Sequence, residues 1–92
     1  MAVIDWDPRK AESNLRKHGV SFDEAATALL DPLALTVADD GDFEEIRDIT
    51  VGLSALGKLL LVVHTLRQED TIRIISARRA TAKERKVYEE GI

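Results

Sequence analysis

The chain has no cysteine, and among its 92 residues there are only two histidines, two prolines, five glycines and four aromatic side chains. Without thiols there can be no disulfide framework and no thiolate metal centre, and a zinc site built on His18 and His64 would need carboxylates to complete it. No metal or cofactor site is expected. The longest apolar run, Leu59 to Val63, is far too short to span a bilayer, and the start lacks a basic region followed by an apolar stretch. A cytoplasmic protein without membrane contact is therefore expected. The length suits a single domain over residues 1–92, and the scarcity of proline and glycine leaves no evident linker.

What is abundant is charge, and it is unevenly spread. The net charge is −4. Residues 1–20 carry four Arg/Lys against three Asp/Glu, residues 21–50 one against nine, and residues 51–92 eight against five. The acidity belongs to the middle, so two flanking segments that meet in the fold can build a local basic site in an acidic protein. Ordinary solvated charge on three surface elements is the competing explanation.

Local patterns predict the elements. Val3–Trp6 reads as a strand, and Asp7 before Pro8 with Gly19 at the far end delimits a helix over 8–18. Ser21 and Glu24 have capping-box spacing and open a helix over 22–30 that Asp31-Pro32 stops. Residues 33–37 can extend, 38–42 form an acidic turn, and 46–54, 58–66 and 71–77 are branched segments joined by short connections, as in an antiparallel meander. Thr81 and Glu84 open a last helix to about Glu90. The order β-α-α-β-β-β-β-α predicts an α+β fold, a small antiparallel sheet with helices packed on one face.

No phosphate-binding glycine loop, Ser-His-Asp signature or His-rich pattern is present. What remains is an arginine-rich surface. Strict alternation along the last strand puts Ile72, Ile74 and Ser76 on one side and Arg73, Ile75 and Ala77 on the other. Arg78 and Arg79 follow beside the start of the last helix, where free amides favour anions; Arg78 either binds phosphate or pairs with Glu84. Arg47 opens one strand and Arg67 ends the next, so an antiparallel pair brings them near each other, to grip a phosphodiester or to answer neighbouring acids. His18, at a helix C-terminus, is either a general acid or base or a cap. Trp6 can stack on a base or join the core, His64 reads more readily as a hydrogen-bonded sheet residue, and Tyr88 can offer a phenol or simply pack.

Taken together, Trp6-Asp7-x-x-Lys10, Asn14-x-x-Lys17-His18-Gly19, the strand residues Arg47 and Arg67, and Arg73-Ile74-Ile75-Ser76-Ala77-Arg78 running on to Glu84-Arg85-x-x-Tyr88 resemble the BrnT family of ribonuclease toxins, over nearly the whole chain. Lys58 and His64 depart from the residues common at their positions. The resemblance implies a RelE-like fold, RNA cleavage that slows translation, neutralisation by a cognate BrnA-like antitoxin, and contact with DNA only through a toxin–antitoxin complex. On that basis His18, Arg47, Arg67, Arg78 and Tyr88 are the catalytic candidates, and Lys10, Lys17, Arg73, Arg79 and Lys83 the RNA-binding ones. The expected chemistry is metal-independent attack by the RNA 2′-hydroxyl, with the arginines stabilising charge and His18 or Tyr88 moving a proton. A noncatalytic nucleic-acid-binding or protein-interaction module is the alternative.

Overall fold

The computed structural model describes residues 3–39, 41, 46–68 and 70–91. Its elements run β1 (Val3–Trp6), α1 (Pro8–His18), α2 (Phe22–Leu29), β2 (Leu35–Asp39), β3 (Arg47–Leu53), β4 (Leu59–Arg67), β5 (Thr71–Arg79) and α3 (Ala82–Glu90), the order read from the sequence. The helix boundaries follow from their caps. The Asp7 side chain accepts from the Arg9 amide, Ser21 caps α2 through the Glu24 amide, and Thr81 with Glu84 closes a reciprocal capping box on α3. Gly19 ends α1 at φ 68°, a left-handed backbone that glycine adopts without steric cost.

Five strands form one sheet in the order β1-β5-β4-β3-β2. The β2–β3–β4–β5 portion is the expected antiparallel meander, and β1 joins it parallel to β5, which makes the sheet mixed. β2 begins two residues later than expected because Asp31 builds a turn, its Oδ1 accepting from the Leu33 amide and its carbonyl from Ala34. Ala38 and Asp39 thus belong to a strand, not to the acidic turn; Asp40 and Asp42 lie outside the described residues. β5 runs on to Arg79 because Leu60 and Leu61 of β4 offer partners to Arg79 and Arg78.

α1 and α2 cover one face of the sheet. Their core is Val20, Phe22, Ala25 and Ala28 against Leu60, Val62, Ile74 and Ala77, with the Trp6 ring meeting Phe22 edge-on at 6.1 Å. Each fully buried Phe or Leu contributes about 1.5–3 kcal/mol. Trp6 therefore packs on the core, the second of its two expected roles. On the same face, His64 Nε2 and Thr50 Oγ1 lie 2.7 Å apart and Thr50 lies 2.7 Å from Thr36 Oγ1, a polar chain across three strands that is buried at His64 and Thr50 and opens to solvent at Thr36. Burial holds the His64 pKa below its ordinary value, against an opposing pull from Asp48.

The expectation of helices on a single face holds for α1 and α2 only. α3 lies over the opposite face, where Leu35, Val37, Ile49, Val51 and Leu61 line a groove with Lys83, Val87 and Tyr88. No residue of α3 is fully buried, so its sequence lacks the broad apolar stripe that would have signalled which face it covers. Two polar ties fasten it, Arg78 to Glu84 at its start and Tyr88 to Asp31 at its end.

Candidate nucleic-acid interface

The register corrects the strict alternation expected for β5. Val63 pairs with Ser76 while the next residue, His64, pairs with Ile74, so Ile75 is an extra residue in a bulge. Ile74 and Ala77 consequently both enter the helix-covered core, and Ser76 turns to the α3 face. This one insertion places Arg73, Ser76 and Arg78 on the same face.

Three cross-strand rows order that face. Arg78 stands beside Leu61, Val51 and Leu35; Ser76 beside Val63, Ile49 and Val37; Arg73 beside Thr65 on β4 and Asp5 on β1. Continuing the β3–β4 register puts Arg47, the partner of Asp39, next to Thr65 and two residues from Arg67. Arg47, Arg67 and Arg73 therefore gather at one end, as the strand ends suggested for Arg47 and Arg67. Arg78 stands apart. Four residues of β4 separate its row from that of Arg73, about 13 Å at a strand rise near 3.3 Å per residue. Arg79, paired with Leu60, points to the α1–α2 face, and Lys83 borders the apolar groove.

Two of these arginines hold carboxylates. Arg78 donates from both terminal nitrogens to Glu84, each at 2.9 Å, and from one of them to the Arg79 carbonyl at 3.1 Å. The bidentate contact raises the Arg78 pKa and lowers that of Glu84. Glu84 also accepts from the Thr81 amide at 2.8 Å, so the start of α3 is capped from within. Arg73 donates to Asp5 at 3.3 and 3.4 Å. Both pairs are part-exposed, with arginine side-chain exposures of 39% and 35%, and exposed ion pairs are typically worth about 0.2–1 kcal/mol.

A second element of the interface lies at the open edge of β5, beyond the point where β1 stops. The amide of Asn14, 6% exposed, takes the place of the missing strand: Nδ2 donates to the Ala77 carbonyl at 2.8 Å and to the Val20 carbonyl at 3.0 Å, while Oδ1 accepts from the Ala77 amide at 3.0 Å. This docks α1 against β5 and leaves a polar cleft of about 220 Å³ lined by Lys10, Ser13, Asn14, Lys17, His18, Ile75 and Ser76. Three cationic or titratable side chains meet there with no carboxylate in the lining. Ser76, which lines this cleft and also lies between Arg73 and Arg78, joins it to the arginine face.

Tyr88 sits elsewhere. Its hydroxyl donates to Asp31 Oδ2 at 2.5 Å, which raises the Tyr88 pKa and lowers that of Asp31. It lines the groove at the β2 side of the sheet, whereas His18 lies at the outer edge of β5, so the two proton-handling candidates are on opposite flanks. Asn14 and Ser76 had no assigned chemistry; the position of Asn14 one helical turn after Ala11, on the inward side of α1, was the available signal for the first. Among the described residues no group of three or more His, Asp or Glu side chains is placed to hold a metal ion.

Residues 6–84 match the family model of the ribonuclease toxin, BrnT, of type II toxin–antitoxin systems. The chain belongs to this family. In fold it is similar to the crystal structure of the Brucella abortus ribonuclease toxin BrnT, with a TM-score of 0.70 at 23% sequence identity over 88% of this chain and 99% of that one. A comparison with curated protein sequences gives no match. The BrnT match takes in every candidate named above except Tyr88, which lies four residues past its end. No helix among the described residues is long and apolar enough to cross a membrane.

Proposed function

We propose that this BrnT-family chain, working as a single domain in the cytoplasm, cleaves RNA through attack of the 2′-hydroxyl on the adjacent phosphate, without a metal, and so inhibits translation until an antitoxin neutralises it. DNA contact would come only through the toxin–antitoxin complex. The observation that carries the reading is Ser76, shared between the cleft of Lys10, Lys17 and His18 and the face that bears Arg73 and Arg78. RNA lying across this junction meets cations on both sides and an imidazole in the cleft. His18 is the proton-transfer group, taking the proton of the 2′-hydroxyl as that oxygen bonds to phosphorus and returning a proton to the 5′-oxygen that leaves as its bond to phosphorus breaks, because Tyr88 is held by Asp31 across the sheet. Arg78 exchanges Glu84 for oxygens of the scissile phosphate and stabilises the extra charge of the transition state, while Arg73, about 13 Å away along the strand, exchanges Asp5 for a neighbouring phosphate, with Arg47 and Arg67 holding the backbone beside it. DNA lacks the attacking hydroxyl.

Cleavage of labelled RNA by the purified chain tests this, run with EDTA, with matching DNA, and with RNA carrying one 2′-deoxy substitution at a mapped cut. RNA should be cut in EDTA, DNA should not, and the deoxy position should be spared. Removing one charge-stabilising donor costs about 3–4 kcal/mol in the barrier, so folded Arg78→Ala should lose about 10²–10³-fold in rate. Salt-sensitive RNA binding with no product, on free RNA and on translating ribosomes alike, would instead identify a noncatalytic binding module.

A further inference from the structure

The cross-strand row that begins with Arg78 on β5 continues through Leu61, Val51 and Leu35, and these three side chains line the groove beneath α3, about 400 Å³ in volume. Val87 of α3 lines it from the other side. Two consecutive residues of α3, Lys83 and Glu84, bring charge to the lining, and Glu84 is the carboxylate that Arg78 grips. Aliphatic walls with a few polar groups suit a heterocycle, its faces against the side chains and its edge read by hydrogen bonds.

Glu84 selects among heterocycles. A phosphate bound by Arg78 takes away the two bonds at 2.9 Å that the Glu84 oxygens accept and leaves the one from the Thr81 amide at 2.8 Å, so the carboxylate stays beside the groove with open acceptor capacity. A part-buried carboxylate that loses its partner needs new donors. Among the RNA bases only guanine offers two adjacent donors, N1–H and N2–H, which match a carboxylate as a guanidinium does; the O6 beside them accepts from a donor such as Lys83. Adenine and cytosine would turn a ring-nitrogen lone pair toward the carboxylate, and uracil flanks its single N3–H with two carbonyls.

We infer that the groove beneath α3 is a specificity pocket for one unpaired guanine adjoining the phosphate that Arg78 holds, with Glu84 passing from Arg78 to guanine N1–H and N2–H and Lys83 donating to O6. The ion pair of the free protein is thereby divided between the phosphate and the base of one guanosine nucleotide. A base paired in a duplex has this edge occupied, so the RNA is single-stranded at the pocket. The pocket depends on Arg78 holding phosphate, as in the proposed function, and not on whether a bond is cut.

Guanosine monophosphates, 3′ and 5′, titrated into the intact chain and followed by NMR, test this beside the inosine and adenosine nucleotides and inorganic phosphate. The better guanine nucleotide should shift the Leu35, Val51, Leu61 and Val87 methyl signals and bind about tenfold tighter than its adenine counterpart, with the inosine nucleotide, which lacks the N2 donor, in between. Glu84→Gln should bind inorganic phosphate more tightly, because Arg78 loses a charged competitor, yet lose the guanine preference; a purely structural role for Glu84 would not move the two in opposite directions. Val87→Phe, at a residue 47% exposed, should fill the groove and weaken the guanine nucleotide about tenfold with phosphate affinity unchanged. Cuts mapped in single-stranded RNA should lie beside guanine, on one constant side. Equal binding of the three bases, wild-type affinity for the guanine nucleotide in Val87→Phe, or shifts confined to the α1 cleft overturns the pocket. Guanine-selective binding without cleavage of any RNA upholds the pocket and removes the ribonuclease reading, whereas cleavage indifferent to guanine does the reverse.

Discussion

Asn14→Ala removes a side chain that substitutes for a β-strand. Three hydrogen bonds disappear, leaving the Ala77 amide and the Ala77 and Val20 carbonyls without these partners in a region where Asn14 is 6% exposed. A net hydrogen bond is worth about 1 kcal/mol, and a buried group left unsatisfied costs about 1–3 kcal/mol, so the expected loss is about 3–4 kcal/mol. A domain of this size has about 5–14 kcal/mol in total. With a urea slope between about 1 and 3 kcal/mol per molar, the unfolding midpoint should fall by roughly 2 M. Asn14→Asp keeps an acceptor for the Ala77 amide but turns carboxylate oxygen toward two carbonyls, and should be at least as damaging. Equilibrium urea unfolding followed by circular dichroism is the assay. A loss below about 1 kcal/mol for Asn14→Ala would refute the claim that this amide closes the sheet edge. Slowed RNA cleavage at undiminished stability would make Asn14 a contact residue of the cleft instead.

Gly52→Ala places a Cβ 2.3 Å from the Ala28 carbonyl oxygen and 3.3 Å from the Ala34 Cβ, forcing α2 off β3; thermal melts should show a loss of about 3 kcal/mol, at the upper end of overpacking costs. His64 has a folded pKa below the ordinary 6.5, so the unfolded chain takes up its proton first as the solution is acidified. Stability is therefore full above about pH 6.5 and declines as pH falls through the depressed folded value, and His64→Gln should flatten that decline between pH 7 and 5 in urea titrations. Tyr88→Phe removes the bond to Asp31 and should cost about 1 kcal/mol of stability while RNA cleavage continues; abolished cleavage in a folded variant would restore Tyr88 as the proton-transfer group.

The helices were legible because their signals are local. Asp7-Pro8, Ser21, Gly19 and the Thr81–Glu84 box each act within a few residues of the boundary they set. The arginine pair at the β3 and β4 ends was legible too, since antiparallel pairing alone brings Arg47 toward Arg67. The bulge was not. Ile72-Arg73-Ile74-Ile75-Ser76 is uniformly compatible with a regular strand, and only the demand that both Ile74 and Ala77 reach the core expels Ile75 from the ladder. The parallel union of β1 with β5 joins residues nearly 70 apart in sequence, which no local pattern encodes. The competition for Arg78 was foreseen in kind, as phosphate or Glu84, and the structure contains the carboxylate.

That competition bears on how an acidic chain presents a cationic surface. Arg73 and Arg78 each rest against a carboxylate, so the resting face is close to neutral where they lie, and Asp39 closes β2 at the opposite margin of the sheet. A single phosphate must displace Asp5 or Glu84 to be bound, and the two sites are about 13 Å apart along the strand. An isolated small anion gains from one exchange only, whereas a polyanion spanning both rows gains from both and also reaches the lysines of the α1 cleft. In the proposed function, discrimination in favour of an extended phosphate chain would follow from dividing the charge between separated, pre-paired arginines. One concentrated patch would bind any anion.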